Sequence, residues 1–310
     1  MNEFELIDHL TRSLPTNKSV VVGPGDDCAV LDMGIPDRLL LFKTDAVVEG
    51  IHFTTPAPPE KIGHKALARC LSDIAAMAGT PEAGVVTIAL PRKFEVNYVE
   101  GIYAGISALA EKYGVAIVGG ETTTNPGQLL ISIALVGWVA RGRATLRFGA
   151  KAGDALFVTG ELGGSIWGKH LDFEPRLKEA RWLAEHFEIH AMIDLSDGLA
   201  GDLRHILKAS GVGAEVLASA IPISREARRL SKSHESAKPA LLAALTDGED
   251  FELLFAAASR EAVALLDAWK KQFPKLRLSC IGKVTKGNEI MIRSKEGVQQ
   301  LNAHGYTHFT

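Results

Sequence analysis

Apolar residues along this chain fall into two kinds of run that alternate. "LLLFKTD", Leu39 to Asp45, is a short apolar block of strand length, whereas "IGHKALARCLSDIAAMAG" repeats apolar residues at three- and four-residue steps and stops at Gly79, as a helix does. "AGVVTIALP" reads as a strand and "VNYVEGIYAGISALAEKYG" as a helix ended by Gly114, while "VAIVGG" and "QLLISIALVGWVA" read as further strands. Gly, Lys and Ala interrupt the pattern in "RFGAKAGDALFVTG", ahead of a new strand at Ala155 to Thr159, which sets a domain boundary within residues 145–153. Beyond it, "AMIDLSDGLAGDLRHILKAS" is strand then helix, "DFELLFAA" a strand, "REAVALLDAWKKQF" a helix, and "LSCIGKVTKGNEIMI" two strands about a Lys-Gly turn. "RRLSKSHESAKPA" is charged and Ser-rich, a solvated loop. The pattern predicts an α/β (α+β) fold in two domains, residues 1–147 and 148–310.

Composition narrows the class. With 310 residues, 46% of them hydrophobic, the chain has enough apolar surface for two cores of ordinary domain size. A net charge of -3, with Lys and Arg scattered, gives no basic stripe for nucleic acid. No apolar run reaches membrane-spanning length, and "MNEFELIDHLTRSL" reads as an acidic amphipathic helix rather than a signal peptide, so a cytoplasmic location is expected. The cysteines, Cys28, Cys70 and Cys280, are widely spaced and read as reduced and mostly buried.

The candidate chemistry lies where the acids fall. Asp26 and Asp27 follow "SVVVGPG", Asp45 closes "LLLFKTD", Glu121 follows "VAIVGG", Asp194 and Asp197 lie in "IDLSDGL", and Glu249 and Asp250 in "TDGEDFELLF". Nearly all stand at a strand end or beside glycine, where ligand-facing loops leave a sheet. Asp73 shares a helix face with Ala66, Cys70 and Met77, which puts a carboxylate on an otherwise apolar face. Buried acids need a partner, and nearby basic residues are too few to pair with all of them. A hard cation such as Mg2+ carrying phosphate meets that need, and the absence of a twelve-residue Asp-rich loop disfavours Ca2+. The plainer alternative is that single acids at strand ends cap helices or form turns, as Asp194 or Ser196 would do for a helix starting near Gly198. Gly163 to His170, "GGSIWGKH", resembles a phosphate loop but has His170 where a hydroxyl must reach Mg2+.

Seven motifs in order, "GPGDDCAV", "KTDAVVEGIHF", "HKALARCLSDIAAMAG", "VGGETT", "IDLSDGL", "DGEDFELLF" and "GYTHF", resemble the thiamine-monophosphate kinase family. That family sits in the superfamily of aminoimidazole-ribonucleotide synthetase and selenophosphate synthetase. The resemblance implies transfer of the γ-phosphoryl group of ATP to thiamine monophosphate, two α/β domains, and a homodimer paired through the N-terminal sheets. Carried over by position, it implies Asp27, Asp45, Asp73, Glu121, Asp194 and Asp197 as Mg2+ ligands. Lys43, Thr44, Asp45, Tyr103, Gly120, Glu121, Arg147 and Ser196 fall on the ATP side. His52, Glu249 and Tyr306 fall on the thiamine monophosphate side, and Asp27, Asp45, Asp73, Arg147 and Asp197 form the catalytic group. Three departures stand out: Glu121 where Asp is usual, Lys43 where Ser or Thr is more common, and a shortened segment from Gly160 to Asp194. Two rivals remain: a synthetase of the same superfamily acting on another acceptor, and a non-catalytic protein that binds nucleotide or thiamine phosphates. The chain lacks a reactive N-terminal Cys beside a Gly-rich loop and a C-terminal Cys, which disfavours two of the relatives.

Overall fold

The computed structural model describes residues 3–54, 56–233, 238–303 and 305–306. The chain divides into two compact units, and neither is a single stretch of sequence. Residues 19–144 and 168–178 form one, here called the N-terminal unit. Residues 1–18, 145–167 and 179–310 form the other, the C-terminal unit.

The N-terminal unit is a six-stranded sheet built from β1 (Val20–Val22), β2 (Ala29–Leu31), β3 (Arg38–Val48), β4 (Thr80–Leu90), β5 (Ala116–Thr124) and β6 (Leu130–Ala140). Its order is β1-β2-β3-β6-β4-β5; only β4 and β5 run parallel. Two long helices, α2 (Pro59–Ala76) and α3 (Val96–Tyr113), pack against each other, and α2 lies on β3 and β6. The strand alternation obeys this one-sided cover. On β6, Ile131, Ile133, Leu135 and Val139 are buried while their neighbours are partly open to water. Leu39, Leu41 and Val47 of β3 share the helix-covered face, so Lys43 and Asp45, in phase with them, point to the same side. The expected helix stop at Gly79 is sharper than its sequence suggested: α2 ends at Ala76, Met77 follows as the C-cap, and Ala78 takes a left-handed φ of 54°. Gly114 ends α3 in the left-handed conformation that a residue without Cβ adopts at least cost.

The C-terminal unit holds a seven-stranded sheet of order β13-β12-β9-β11-β7-β10-β8. Its strands are β7 (Ala155–Thr159), β8 (Ile189–Asp194), β9 (Gly213–Leu217), β10 (Leu253–Ala257), β11 (Leu278–Thr285), β12 (Ile290–Ser294) and β13 (Gly297–Gln300). With it go α1 (Glu3–Thr11), α4 (Leu177–His186, most of its length), α5 (Leu199–Ser210), α6 (Arg225–Leu230), α7 (Ala240–Thr246) and α8 (Ala262–Gln272). β7 and β10 are buried along their whole length, hence their continuous apolar runs. The two strands read about the Lys-Gly turn exist as β11 and β12, but they are not hydrogen-bonded to each other. β9 lies between them, antiparallel to β11 and parallel to β12. The loop read in "RRLSKSHESAKPA" begins later than expected, because Arg228 to Leu230 complete α6; residues 234–237 lie outside the described residues. Among the described residues no helix is long and apolar enough to cross a membrane.

Candidate active site

In the N-terminal unit, α2 carries a polar stripe through an otherwise buried helix. Lys65, Arg69 and Asp73 follow one another at four-residue steps, one above the other on one face. The fully buried Lys65 donates from Nζ to the His52 carbonyl at 2.6 Å. Arg69 Nε donates to Asp45 Oδ2 at 2.9 Å, and Lys43 Nζ lies 2.9 Å from Asp73 Oδ1. Burial alone would push the Lys43 ammonium down, but Asp73 and Asp45 outweigh it and hold it above the usual lysine value. Burial likewise opposes the charged form of Asp45, yet Arg69 and then Lys43 hold its carboxyl below the usual range. Asp27 is almost fully buried at the end of the "GPGDD" turn, and its backbone N–H donates to Asp26 Oδ1 at 3.0 Å. Asp26 thus shapes the turn from a partly exposed position while Asp27 turns inward. Cys28 and Cys70 are buried free thiols, pushed well up first by burial and then by Asp73 (Cys28) or Asp45 (Cys70), so neither is a ready nucleophile.

The strand register separates the remaining N-terminal candidates. Asp45 pairs with Ile133, Ile133 with Val86, and Val86 with Gly120, all on the helix side of the sheet. Gly120 has to be glycine: its φ is 153°, and a Cβ there would lie 1.8 Å from the Val86 carbonyl oxygen. Glu121 pairs with Thr87 and Thr87 with Ser132, which puts it on the opposite, open face together with Thr44, whose Oγ1 is 3.4 Å from Ser132 Oγ. The sheet therefore parts Glu121 from Asp45 and Asp73 within this unit. His52 is buried and accepts the Val48 N–H at Nδ1 (3.1 Å). Tyr103 is half-buried on α3. A hollow of about 630 Å³ in the same unit, lined among others by Glu49, Arg92, Lys93, Phe94 and Tyr98, contains none of the residues that the sequence singled out.

The C-terminal unit gathers its candidates around one turn. β8 ends at Asp194, Ser196 and Asp197 follow, and α5 starts at Leu199 with Gly198 as N-cap and no side-chain cap. Neither Asp194 nor Ser196 caps the helix. The Ser196 carbonyl accepts the N–H of Glu249 at 2.7 Å, and the Asp197 carbonyl accepts the N–H of Tyr306 at 2.8 Å. Both substrate-side candidates are therefore fastened to this turn through the backbone. Glycines allow the close approach: a Cβ at Gly248 would lie 2.5 Å from the Ser196 oxygen, and one at Gly305 2.5 Å from the Asp197 oxygen. Glu249 itself has a left-handed φ of 71°, strain of the kind found at ligand-facing positions.

Three residues missed in the sequence support functional segments, two of them at this turn and one at His52. Asp202, on the first turns of α5, accepts the Asp197 N–H at 3.1 Å, and Arg204 donates from Nη2 to the carbonyls of Leu301 and Ala303, holding the segment that leads to Tyr306. Lys65 does the same for His52. Their signal was present only as helix periodicity, since polar residues on a helix face read as solvated until the packing is known. Asp250 and Glu252, by contrast, are structural. Asp250 accepts from the N–H of Gly163 and the hydroxyl of Ser165, Asp247 from the N–H of Gly164, and Glu252 from the Thr159 hydroxyl. The glycine loop that resembled a phosphate cradle thus already holds carboxylates where phosphate oxygens would sit.

The acids of this turn suit a cation. Burial first, then Asp197 and Asp194, push the Asp202 carboxyl well above its usual range, although Arg147 opposes the shift. Asp197, Asp202 and His205 place ligand atoms within 4.8 Å of one another. Crowded carboxylate oxygens are the donor set that hard divalent cations take, so the residues present fit Mg2+.

Comparison with known proteins identifies the family. Residues 25–139 match the family described as AIR synthase related protein, N-terminal domain, and residues 151–295 its C-terminal domain. The thiamine-monophosphate kinase of Rhodopirellula baltica is 42% identical over 281 residues, 88% of this chain and 85% of that one. That of Bacillus subtilis is 33% identical over the full length of both. Among solved structures, one described as AaThiL complexed with AMPPCP and TMP superposes with a TM-score of 0.84 at 30% identity, covering 99% of this chain and 97% of that one. The thiamine monophosphate kinase of Aquifex aeolicus gives a TM-score of 0.78 at 28% identity, covering 99% of each chain. With both domains matched and relatives aligned along the whole length, the chain belongs to the thiamine-monophosphate kinase family of the AIR synthase related proteins.

Proposed function

We propose that this chain transfers the γ-phosphoryl group of ATP directly to thiamine monophosphate, giving thiamine diphosphate and ADP. The observation that carries the residue assignment is the turn at Ser196 and Asp197, which fastens Glu249 and Tyr306 by backbone hydrogen bonds beside three crowded carboxylates. Family membership, and a relative's structure described as holding AMPPCP and TMP, support the choice of substrates. The acceptor is a phosphate oxygen that is already anionic, so no general base has to deprotonate it. The task left to the protein is to align two highly charged groups and offset their repulsion.

In this reading Asp194 and Asp197, with Asp202 beside them, hold Mg2+ in the C-terminal unit, Asp27 is the buried carboxylate that the N-terminal unit offers a cation, and the metal neutralises charge on the transferring phosphates. Arg147, whose charge acts on Asp202, offers a planar fork to phosphate oxygens. Ser196 faces the nucleotide phosphates; Glu249, Tyr306 and His52 serve the thiamine monophosphate. Lys65 fixes the His52 loop and Arg204 the Tyr306 segment. We also read the chain as a homodimer paired through the open faces of its N-terminal sheets, where Phe42, Val85 and Val118 are exposed. Dependence on ATP together with free thiols suits the cytoplasm.

Phosphorus NMR of the purified chain with ATP, Mg2+ and thiamine monophosphate, run beside a thiamine control, tests the proposal. Thiamine diphosphate and ADP should appear only with the monophosphate. Arg147→Lys should retain the fold and lower turnover by roughly 10²-fold. Absence of product in the native chain would overturn the assigned reaction, and full activity in the variant would remove Arg147 from it.

A further inference from the structure

Lys43, Asp45, Arg69 and Asp73 form an arrangement of alternating charge. On β3, Lys43 and Asp45 are two residues apart and project to the same side; on α2, Arg69 and Asp73 are one turn apart on the same face. The ion pairs cross from strand to helix, Lys43 to Asp73 and Arg69 to Asp45, each at 2.9 Å. Each cation therefore meets the acid of the other element, and Lys43 also acts on Asp45 along its own strand. The side chains are mostly enclosed: Lys43 is 24% exposed, Asp73 8%, Arg69 13% and Asp45 21%. At such positions water and salt screen the pairs far less than on the surface. Two positive and two negative groups sum to no net charge.

This arrangement has a consequence for the metal. A carboxylate that already holds a fixed ammonium or guanidinium gains less from a divalent ion, because the ion must compete with a covalently attached cation present at high local concentration. We infer that Lys43 and Arg69 are resident counter-cations that supply, at Asp73 and Asp45, positive charge a divalent ion would otherwise bring. This part of the site is then ordered and balanced before any metal arrives, and a divalent ion binds at Asp73 and Asp45 more weakly than their charge alone would give. The inference rests on the reading of the chain as a kinase that uses a divalent ion. It concerns the protein's own charges and not the identity of the acceptor.

Mn2+ titration of the nucleotide-free, chelator-treated full chain tests it, read by electron paramagnetic resonance of the free ion and by the thermal unfolding midpoint with and without Mn2+. Lys43→Met removes the ammonium that lies 2.9 Å from Asp73, so the variant should bind Mn2+ roughly tenfold more tightly than the native chain. Its midpoint should also rise more on metal addition than the native one. Lys43→Arg keeps the charge and should behave as the native chain does. Arg69→Gln makes the same test at Asp45, and decides the matter if Lys43→Met does not fold. Mn2+ binding no tighter, and metal-induced stabilisation no larger, in the neutralised variants than in the native chain would overturn the inference. Failure of the kinase reaction would register separately, as missing thiamine diphosphate in the phosphorus spectrum, and would leave the metal titration interpretable.

Discussion

At the scale of single residues, charges here work in geometries fixed by the backbone. Arg141, just past the end of β6, illustrates the surface case. Its Nη1 and Nη2 donate to the two carboxylate oxygens of Asp32 at 2.8 and 3.0 Å, and it also reaches the carbonyls of Ile35 and Pro36. The arginine hydrogen bonds, helped by the Gly34 N–H, pull the Asp32 carboxyl from its ordinary 3.8 down to about 2. A depressed acid stabilises the fold above its unfolded value and loses that contribution as pH falls through its folded value. The window is therefore between about 4 and about 2. Arg141→Lys cannot form the fork. The stability difference between native and variant should be constant at neutral pH and shrink across that window, leaving below it only the pH-independent loss of the bonds to the Ile35 and Pro36 carbonyls, as measured by unfolding midpoints at a series of pH values. A difference independent of pH would show that the pair does not set the Asp32 titration. Within the site, the acids at strand ends were legible as candidates only together, because a single one has ordinary uses as a cap or turn former, whereas several of them with one more on an apolar helix face do not. Arg69 was not: four residues before Asp73 it reads as the polar side of a helix, and only the packing of α2 on β3 shows that it faces Asp45.

Between elements, what decides the arrangement is how closely backbones approach. α2 and α3 touch backbone to backbone through a reciprocal pair of glycines. A Cβ on Gly63 would lie 1.9 Å from the Ile102 carbonyl oxygen of α3, and one on Gly105 would lie 1.9 Å from the Glu60 carbonyl oxygen of α2. In an isolated helix Gly105→Ala would gain about 1 kcal/mol of helix propensity. Here the added methyl meets main chain that cannot rotate away, and overpacking of this kind costs about 1–3 kcal/mol or more. The clash should win, with Gly105→Ala destabilised in urea denaturation; a variant as stable as the native chain would mean that the helices do not approach this closely. The sequence shows Gly63, Gly101 and Gly105 as residues that lower helix propensity and says nothing of their use, because the neighbour they admit comes from another helix. For the same reason the position of β9 between β11 and β12 was not readable: "LSCIGKVTKGNEIMI" fixes two strands and a turn, while the strand between them comes from residues 213–217.

For the molecule as a whole, the question is what the N-terminal sheet does with its second face. α2 and α3 cover one side, yet the other presents Phe42 on β3 and Val85 on β4, with Val118 on the edge strand β5. An antiparallel sheet tolerates water on one face when that face is polar. Thr44, Ser132, Thr87 and Glu121 are polar positions on it, but the apolar residues among them make a surface better suited to contact than to solvent. β5 adds to this, since nearly all its residues are exposed and, among the described residues, no further strand lies on its outer edge. Pairing with a second copy of this chain would cover the face and the edge together, and would also enclose Glu121 and Thr44. Val85→Asp places a charge at the centre of that face without touching the helix-covered core, where Val86 and Ile88 lie. The native chain should run as a dimer in light scattering at micromolar concentration. The variant should run as a monomer with an unchanged far-ultraviolet circular dichroism spectrum, because burying an unpaired carboxylate costs far more at an interface than in water. A native chain that is already monomeric, or a variant that remains dimeric, would show that the open face is not the contact and that Glu121 and Thr44 act within a single chain.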